Sequence, residues 1–333
     1  MRAFLAPRVL RRVSASLLSL SLLFGAVGAA HATVKVGLSD WPGWVAWYVA
    51  EQEGFFKKHG ADVKLVWFPD YTDSISALSA GQLDANSQTW SDTMTPLSKG
   101  VPVKTILVND NSAGNDALMV GPKIKSFADL KGKSIALEQY SVSHFVLAIA
   151  LAKHHMKITD VKIVNLPAGD AAAAFMTGRV DAAVVWNPWV SKIETSGKGR
   201  ALFTSKEMPG LVPDLLVAQE KALADKTKRK DLVGMIQAWF DTVAFIHDHP
   251  DEAARIMSKV VSLSPDEYKV FLPGTRFFDA QDNLKAMDPK QPQSLVAVGP
   301  VIHGFLSENK LIEGPVDYAK GIDASLLHDA LKK

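Results

Sequence analysis

The sequence of 333 residues contains no cysteine. Disulfide bonds are therefore excluded, and so is a lipid anchor attached through a cysteine. A chain of this length can form a stable core without such cross-links, and it is long enough for two lobes.

Net charge is also nearly absent, because 37 lysines and arginines oppose 35 aspartates and glutamates, which gives +2. Residues 1–32 contain four arginines and no acid, so the remainder of the chain carries 2 − 4 = −2. A nearly neutral surface gives no electrostatic reason to expect nucleic acid or an anionic membrane as a partner.

The long apolar run is confined to the N-terminus. It follows an arginine-rich start and ends at Ala30, His31 and Ala32, which form an A-x-A cleavage signal. We expect a signal peptide over 1–32 that is cleaved after Ala32, and a mature protein in the periplasm that begins at Thr33. The apolar run is too short for a retained membrane anchor, and no charged stop follows it.

Signatures of catalysis are missing as well. The sequence has neither a G-x-S-x-G elbow nor an H-E-x-x-H pair. Ser141 and Ser143 precede His144, but serines at the start of a helix are explained by N-capping. We therefore expect no catalytic residue, no metal and no cofactor.

An internal repeat is present instead. Residues 63–90 and 161–186 share a V-K-[L/I]-V stretch, a proline, a helical segment ending at glycine, the letters D-A and a final tryptophan. This order predicts a strand, a helix and a second strand in each copy. A further strand and helix precede each copy, with a helix predicted over 44–58 in the first case. The pattern is typical of an α/β fold built twice.

The domain organisation follows from this repeat. We predict lobe 1 over 33–116, lobe 2 over 117–218 with crossing strands at both of its ends, and a mainly helical tail over 219–333 that packs on lobe 1. In parallel sheets, ligands bind beyond the carboxyl ends of the strands.

Tryptophan and polar residues are concentrated at these strand ends. Packing accounts for Trp47, Trp67 and Trp239, whereas the strand-end positions favour a binding site. The candidate ligand-binding residues are Asp40, Trp41, Trp44, Gln88, Trp90, Asp92, Asn115, Glu138, Ser141, Ser143, His144, Trp186, Asn187 and Asp214.

The layout resembles a known family. The motif at 49–62, the A-x-x-x-G-x-x-D-A modules at 77–85 and 174–182, and the segment 127–136 are similar to those of periplasmic solute-binding proteins of ABC importers for nitrate, taurine, alkanesulfonates and thiamine precursors. The resemblance implies a two-lobed type II periplasmic binding fold with two parallel-rich sheets flanked by helices and two crossings between the lobes. It also implies a small-molecule ligand, a permease with its ATPase as partners, and a monomer.

Residues 110–116, 141–145, 186–189 and 214–217 most resemble the branch associated with urea carboxylase, which implies a urea- or guanidine-like ligand. The strand-end segments contain acids and aromatic rings but neither lysine nor arginine, which favours a flat cation. Two alternatives stay open. Amides at the helix opening at Ser141 could hold the sulfonate of taurine or an alkanesulfonate, or a nitrate. Pyrimidine-precursor enzymes share this fold, but they carry a cysteine-rich motif that is absent here.

Overall fold

A computed structural model describes residues 33–332, which fold around eleven strands. The signal peptide predicted over 1–32 lies outside the described residues. The strands are β1 Val34–Leu38, β2 Val63–Trp67, β3 Ala85–Thr89, β4 Val103–Ser112, β5 Asp116–Val120, β6 Ser134–Leu137, β7 Lys162–Asn165, β8 Ala182–Trp186, β9 Arg200–Thr204, β10 Pro213–Gln219 and β11 Thr275–Phe277.

These strands form two sheets that are flanked by helices, which is the α/β periplasmic-binding-protein fold expected from the sequence. One sheet has the order β11-β4-β10-β3-β1-β2 and the other has the order β7-β6-β8-β5-β9. Both are mixed. The strands β1, β2 and β3 run parallel, as do β6, β7 and β8, whereas β10, β4 and β11 run antiparallel to their neighbours in the first sheet, and β5 does so in the second.

The described part of the chain also contains fifteen helices and four short 3-10 turns. The helices are α1 Pro42–Val45, α2 Trp47–Gln52, α3 Phe55–Lys58, α4 Tyr71–Ser79, α5 Trp90–Ser98, α6 Val142–Lys153, α7 Ala168–Met176, α8 Trp189–Thr195, α9 Glu220–Ala224, α10 Lys226–Asp248, α11 Pro250–Val260, α12 Pro265–Lys269, α13 Ala280–Met287, α14 Leu295–Glu308 and α15 Ser325–Leu331. The 3-10 turns are Phe127–Leu130, Ile158–Asp160, Ser205–Glu207 and Leu272–Gly274. No described helix is long and apolar enough to cross a bilayer.

The internal repeat is confirmed, because its two copies occupy equivalent places. The units β2–α4–β3 and β7–α7–β8 each begin at the edge strand of a sheet and end at its third strand. The single helix predicted over 44–58 is wrong in detail, since three short helices replace it. Gly54 interrupts them with a φ of +72°, a left-handed conformation that a continuous α-helix cannot contain.

The chain passes between the sheets twice, along 113–115 and along 205–212. The strand β10 pairs with β3 and β4 in the first sheet, whereas the sequence analysis assigned 213–218 to the end of lobe 2. The crossing is therefore the irregular segment before β10. Val212 accepts a hydrogen bond at its carbonyl from the Ser112 amide, so the two crossings lie side by side.

The helical tail packs mainly on the first sheet and its helices. Trp239 on α10 packs on Trp47 with 4.6 Å between ring centroids, and both side chains are fully buried. The predicted core role of these two tryptophans is confirmed, while Trp67 is half-buried. One tail helix extends further, because Phe305 on α14 contacts Phe145 on α6 beside the second sheet.

Candidate functional site

A small cavity lies where the carboxyl ends of the two sheets meet. It is small, with a volume of about 10 Å³, which is about the least that can hold one water molecule. The site is therefore nearly closed in this structure. Its walls are Trp41, Trp44, Tyr71, Thr89, Asp116, Val142, Trp186, Val212 and Asp214.

Four of the nine wall residues are aromatic. Trp44 lies 6.4 Å from Trp41 in an edge-on arrangement and 5.0 Å from Tyr71, measured between centroids. Tyr71 in turn meets Trp186 edge-on at 5.7 Å. Trp186 ends β8 in the second sheet, whereas the other three rings follow β1 and β2 in the first. The rings therefore enclose the cavity from both sheets.

Two carboxylates complete the wall, Asp116 at the start of β5 and Asp214 at the start of β10. Both side chains are buried, and the Oδ2 atom of each has no hydrogen-bond partner among the described residues. Unpaired buried acceptors are costly, so these atoms are suited to receive a donor from a ligand. Of the described residues that line the cavity, none is a lysine or an arginine.

Burial changes the ionisation of the acids in and around the cavity. It raises the pKa of Asp116 and of Glu138 to about 7 and that of Asp92 to about 6. Burial is the largest cause in each case, because it disfavours the charged form. Hydrogen bonds to these carboxylates oppose the shift without cancelling it.

Three further predicted acids join elements of the two sheets directly. Asp40, after β1, accepts hydrogen bonds from Nε1 of Trp186 at 2.8 Å and from Nε1 of Trp189 at 2.7 Å. Oδ2 of Asp92 accepts a hydrogen bond from the Val142 amide at 3.0 Å. Oε1 of Glu138 accepts hydrogen bonds from the Thr72 amide at 2.8 Å and from the Thr72 hydroxyl at 2.9 Å. The carboxylate oxygens of these three acids already accept hydrogen bonds from the protein, so the acids hold the two sheets together. Their role as ligand contacts stays a prediction.

Four of the predicted site residues line the cavity, namely Trp41, Trp44, Trp186 and Asp214. Trp90 does not, because its Nε1 donates to the Leu295 carbonyl on α14 and the ring is buried against the tail. Gln88 is also outside the wall, where it bonds to Asn86 and Thr93 within the first sheet layer.

The remaining predicted residues lie at the crossings or at the start of α6. Asn187 donates to Asn115, which itself donates to the Phe271 carbonyl, so this pair ties a crossing to the tail. Ser141 caps α6 by accepting from the Ser143 amide at 3.2 Å. His144 is buried, which lowers its pKa to about 4. A ligand-binding role for these residues stays a prediction.

The candidates chosen from the sequence do not include five residues that line the cavity, namely Tyr71, Thr89, Asp116, Val142 and Val212. Tyr71 follows the end of β2, so the strand-end rule that selected Trp41 could have found it. No local signal marks Val212, because its position depends on how the second crossing runs beside the first.

The buried acids predict an unusual dependence of stability on pH. A carboxyl group whose pKa is raised in the folded chain binds its proton more tightly there, so its contribution to stability is lost as the pH rises through the folded-state pKa. His144 acts in the opposite sense, because its lowered pKa costs stability as the pH falls below about 6.5. The groups with raised pKa outnumber it; they are Asp40, Asp92, Asp110, Asp116, Glu138 and Asp214.

We therefore expect the ligand-free mature protein to melt several degrees higher at about pH 5 than at about pH 8. Differential scanning calorimetry in buffers of equal ionic strength measures this. The Asp116→Asn variant should show a smaller difference between the two conditions. A melting temperature that falls steadily from pH 8 to pH 5 would contradict the expectation.

Comparison with known proteins identifies relatives of this chain. The model of the family described as NMT1/THI5 like matches residues 41–253. A protein of Brucella abortus (strain 2308), named as a binding protein without a stated ligand, is 30% identical over 214 residues, which cover 63% of this chain and 61% of the relative. The chain thus matches less than two thirds of that relative's length.

Two other proteins carry more specific names. The taurine-binding periplasmic protein of Escherichia coli (strain K12) is 32% identical over 156 residues, which cover 47% of this chain and 48% of that protein. The alkanesulfonate-binding protein SsuA from Xanthomonas axonopodis pv. citri, solved bound to MOPS, has a TM-score of 0.72 at 19% identity and covers 88% of this chain and 98% of its own. At that identity the structural likeness establishes the fold alone.

Proposed function

We propose that this chain, which belongs to the NMT1/THI5-like family, is the periplasmic solute-binding component of an ABC importer. It captures a small solute between two lobes built on the two sheets and delivers it to a permease, which in turn works with an ATPase. Family membership and the relatives named as binding proteins support this proposal.

The observation that carries the proposal is the composition of the cavity wall. Trp41 and Trp44 come from the first sheet and Trp186 from the second, so a ligand between them touches both sides. A ligand shifts an equilibrium between open and closed forms only if it binds one form better than the other. Contacts from both sheets exist together only when the cavity is closed, which supplies this difference.

For the ligand we propose a compact cation of the guanidinium type. Asp116 and Asp214 offer two unpaired carboxylate oxygens, and the surrounding rings offer aromatic faces. Guanidinium is flat, always charged and able to form paired hydrogen bonds with a carboxylate, and each well-placed ring adds roughly 0.5–2 kcal/mol. Urea has the same shape but lacks the charge.

Taurine is the second candidate, because the relatives with stated ligands bind taurine or alkanesulfonate and two observations bear on it. The buried Nε1 atom of Trp44 has no hydrogen-bond partner among the described residues and would donate to a sulfonate oxygen. Against taurine, the amides that open α6 are occupied, since that of Val142 bonds to Asp92 and that of Ser143 to Ser141. A sulfonate at this helix end would have to displace a carboxylate.

We also propose that the bound solute leaves chemically unchanged. Residues 33–332 contain no group of three or more histidine, aspartate or glutamate side chains placed to hold a metal ion. His144 is buried in the first turn of α6 and does not line the cavity. Recovery of an altered compound after incubation with the protein would favour an enzyme on this fold.

Isothermal calorimetry on refolded, ligand-free mature protein tests the proposal. We expect guanidinium to bind, urea to bind more weakly, and Trp41→Ala to weaken guanidinium binding about tenfold because one wall of the cavity is lost. Trp67→Ala is the matched control, since Trp67 is half-buried and outside the cavity, and it should leave the affinity unchanged. Tight binding of taurine or nitrate with none of guanidinium would overturn the assignment of the ligand.

A further inference from the structure

Asp110 lies behind the cavity wall, opposite Asp214. The two residues are paired in register on the neighbouring antiparallel strands β4 and β10. Both side chains are buried, their carboxyl groups are within hydrogen-bonding reach of each other, and the Oδ2 atom of each has no donor among the described residues. The other oxygen of Asp110 accepts from Nε1 of Trp41 at 3.0 Å, so Asp110 also holds one ring of the wall.

Negatively charged groups surround this pair within the described part of the chain. The charged groups that act on it from the described residues are other acids, Asp116 on β5 and Asp92 on α5. The hydroxyl of Tyr268 on α12 is close, but it donates to the Pro42 carbonyl at 3.0 Å and remains neutral because burial raises its pKa.

Space beside the pair is restricted as well. A Cβ atom built on Gly43 would lie 1.9 Å from Oδ2 of Asp110, so the glycine backbone packs directly against the carboxyl group. A side chain at this position would fill the place of that oxygen. The Gly43 backbone therefore covers the Asp110 carboxyl group.

Two carboxylates that are desolvated and in contact do not both ionise, because the second negative charge would face the first in a medium of low polarity. A proton held between the two carboxyl groups gives each of them a hydrogen-bond partner, since a protonated carboxyl donates to an ionised one. Burial raises the pKa of Asp110 to about 7, and burial together with the charge of Asp110 raises that of Asp214 further above its usual range.

We infer that Asp110 is a positioning residue that shares one proton with Asp214, and that a cation entering the cavity displaces this proton. The second part rests on the proposed function, because it takes the ligand to be cationic. A neutral ligand such as urea would leave the proton in place. Asp110 thereby makes the charge of the cavity adjustable, although it does not touch the ligand.

The sign of the pH effect follows from this exchange. A cation stabilises the ionised pair, so its binding releases a proton, and the affinity increases as the pH rises. Release of one full proton corresponds to about tenfold tighter binding for each pH unit. Urea binding should not change with pH in this range.

The first test requires no ligand. In protein labelled with carbon-13 at aspartate carboxyl groups, NMR should show that the titrations of Asp110 and Asp214 are coupled. One of these two carboxyl groups should still be protonated at neutral pH. Asp110→Asn should replace the coupled titrations with a single-step titration of Asp214 at lower pH, and Asp214→Asn should do the same for Asp110. Asp266→Asn, at an exposed carboxylate, should leave both titrations unchanged. Ionised carboxylates at both positions from about pH 5 upward would overturn the shared proton.

The second test is calorimetry of guanidinium chloride binding in two buffers with different ionisation enthalpies. At neutral pH the wild type should release more protons than Asp110→Asn, and the variant should show a flatter pH profile, because Asp116, whose pKa is raised to about 7, titrates in both proteins. A merely structural role for Asp110 would change affinity without changing the proton count. Binding to the wild type without proton release would refute the displacement. Absence of binding would refute the guanidinium ligand and the displacement with it, while the NMR result still decides whether the proton is shared.

Discussion

Replacing Asp116 with asparagine is expected to weaken guanidinium binding at least 100-fold. Asp116 lines the cavity, is buried, and presents an oxygen without a partner. Removing one member of a buried charge pair costs about 3–5 kcal/mol, because the remaining charge stays desolvated. The amide of asparagine matches the size of the carboxyl group, so the loss reports charge and hydrogen bonding and not a cavity defect.

Two comparisons isolate the charge in this experiment. Urea differs from guanidinium mainly in charge, so its affinity should change far less in Asp116→Asn. The exposed carboxylate of Asp266 provides the matched variant, since Asp266→Asn removes one negative charge from the same protein outside the cavity wall. Equal losses for urea and guanidinium would show that the substitution damages the shape of the site and would contradict a charge-based role.

Replacing Asp40 with alanine is expected to destabilise the closed arrangement of the two sheets. The indole groups of Trp186 and Trp189 would both lose the acceptor that now lies across the cleft, at 2.8 and 2.7 Å. Hydrogen bonds to charged groups contribute about 1.5–3 kcal/mol each, so the two together amount to about 3–6 kcal/mol. X-ray scattering of the ligand-free variant should show a larger radius of gyration than that of the wild type.

A second variant separates the hydrogen bonds from general damage. Trp189→Phe keeps a ring at the start of α8 but removes one donor, so we expect about half of the effect of Asp40→Ala. Saturating guanidinium should restore compactness in both variants, because its contacts from both sheets favour closure. Scattering curves of Asp40→Ala that superimpose on those of the wild type would show that Asp40 does not control closure.

The repeat illustrates what could be predicted from the sequence. Segments 63–90 and 161–186 alternate strand, helix and strand, and both form that unit at equivalent places in the sheets. The prediction succeeded because apolar periodicity and glycine at helix ends act over a few residues. The same reasoning placed Trp41 and Trp44 at a strand end, where they line the cavity.

The repeat also misled at one position. Trp90 and Trp186 end the two copies and look equivalent in sequence, yet only Trp186 lines the cavity. Trp90 instead donates to Leu295, more than two hundred residues later, because helix α14 of the tail covers it. Nothing near Trp90 in the sequence indicates that contact.

The acids divide in a similar way. Their concentration at strand ends was visible in the sequence, but their roles were not. Asp40 bonds to indole groups across the cleft, whereas Asp116 and Asp214 line the cavity and each keep one oxygen without a hydrogen bond from another described residue. Asp110 was not a candidate at all, because its importance depends on its register with Asp214.

The sequence by itself determined the α/β units, their duplication, the strand ends that surround the site, and a site rich in aromatic rings and acids. These properties follow from local periodicity and from the rule that parallel strands present their carboxyl ends at one edge. Only the tertiary structure decided which acids bond to protein, which face the cavity and which pair with each other. Those outcomes depend on strand register and on contacts between segments far apart in the chain, and local preferences do not encode either of them.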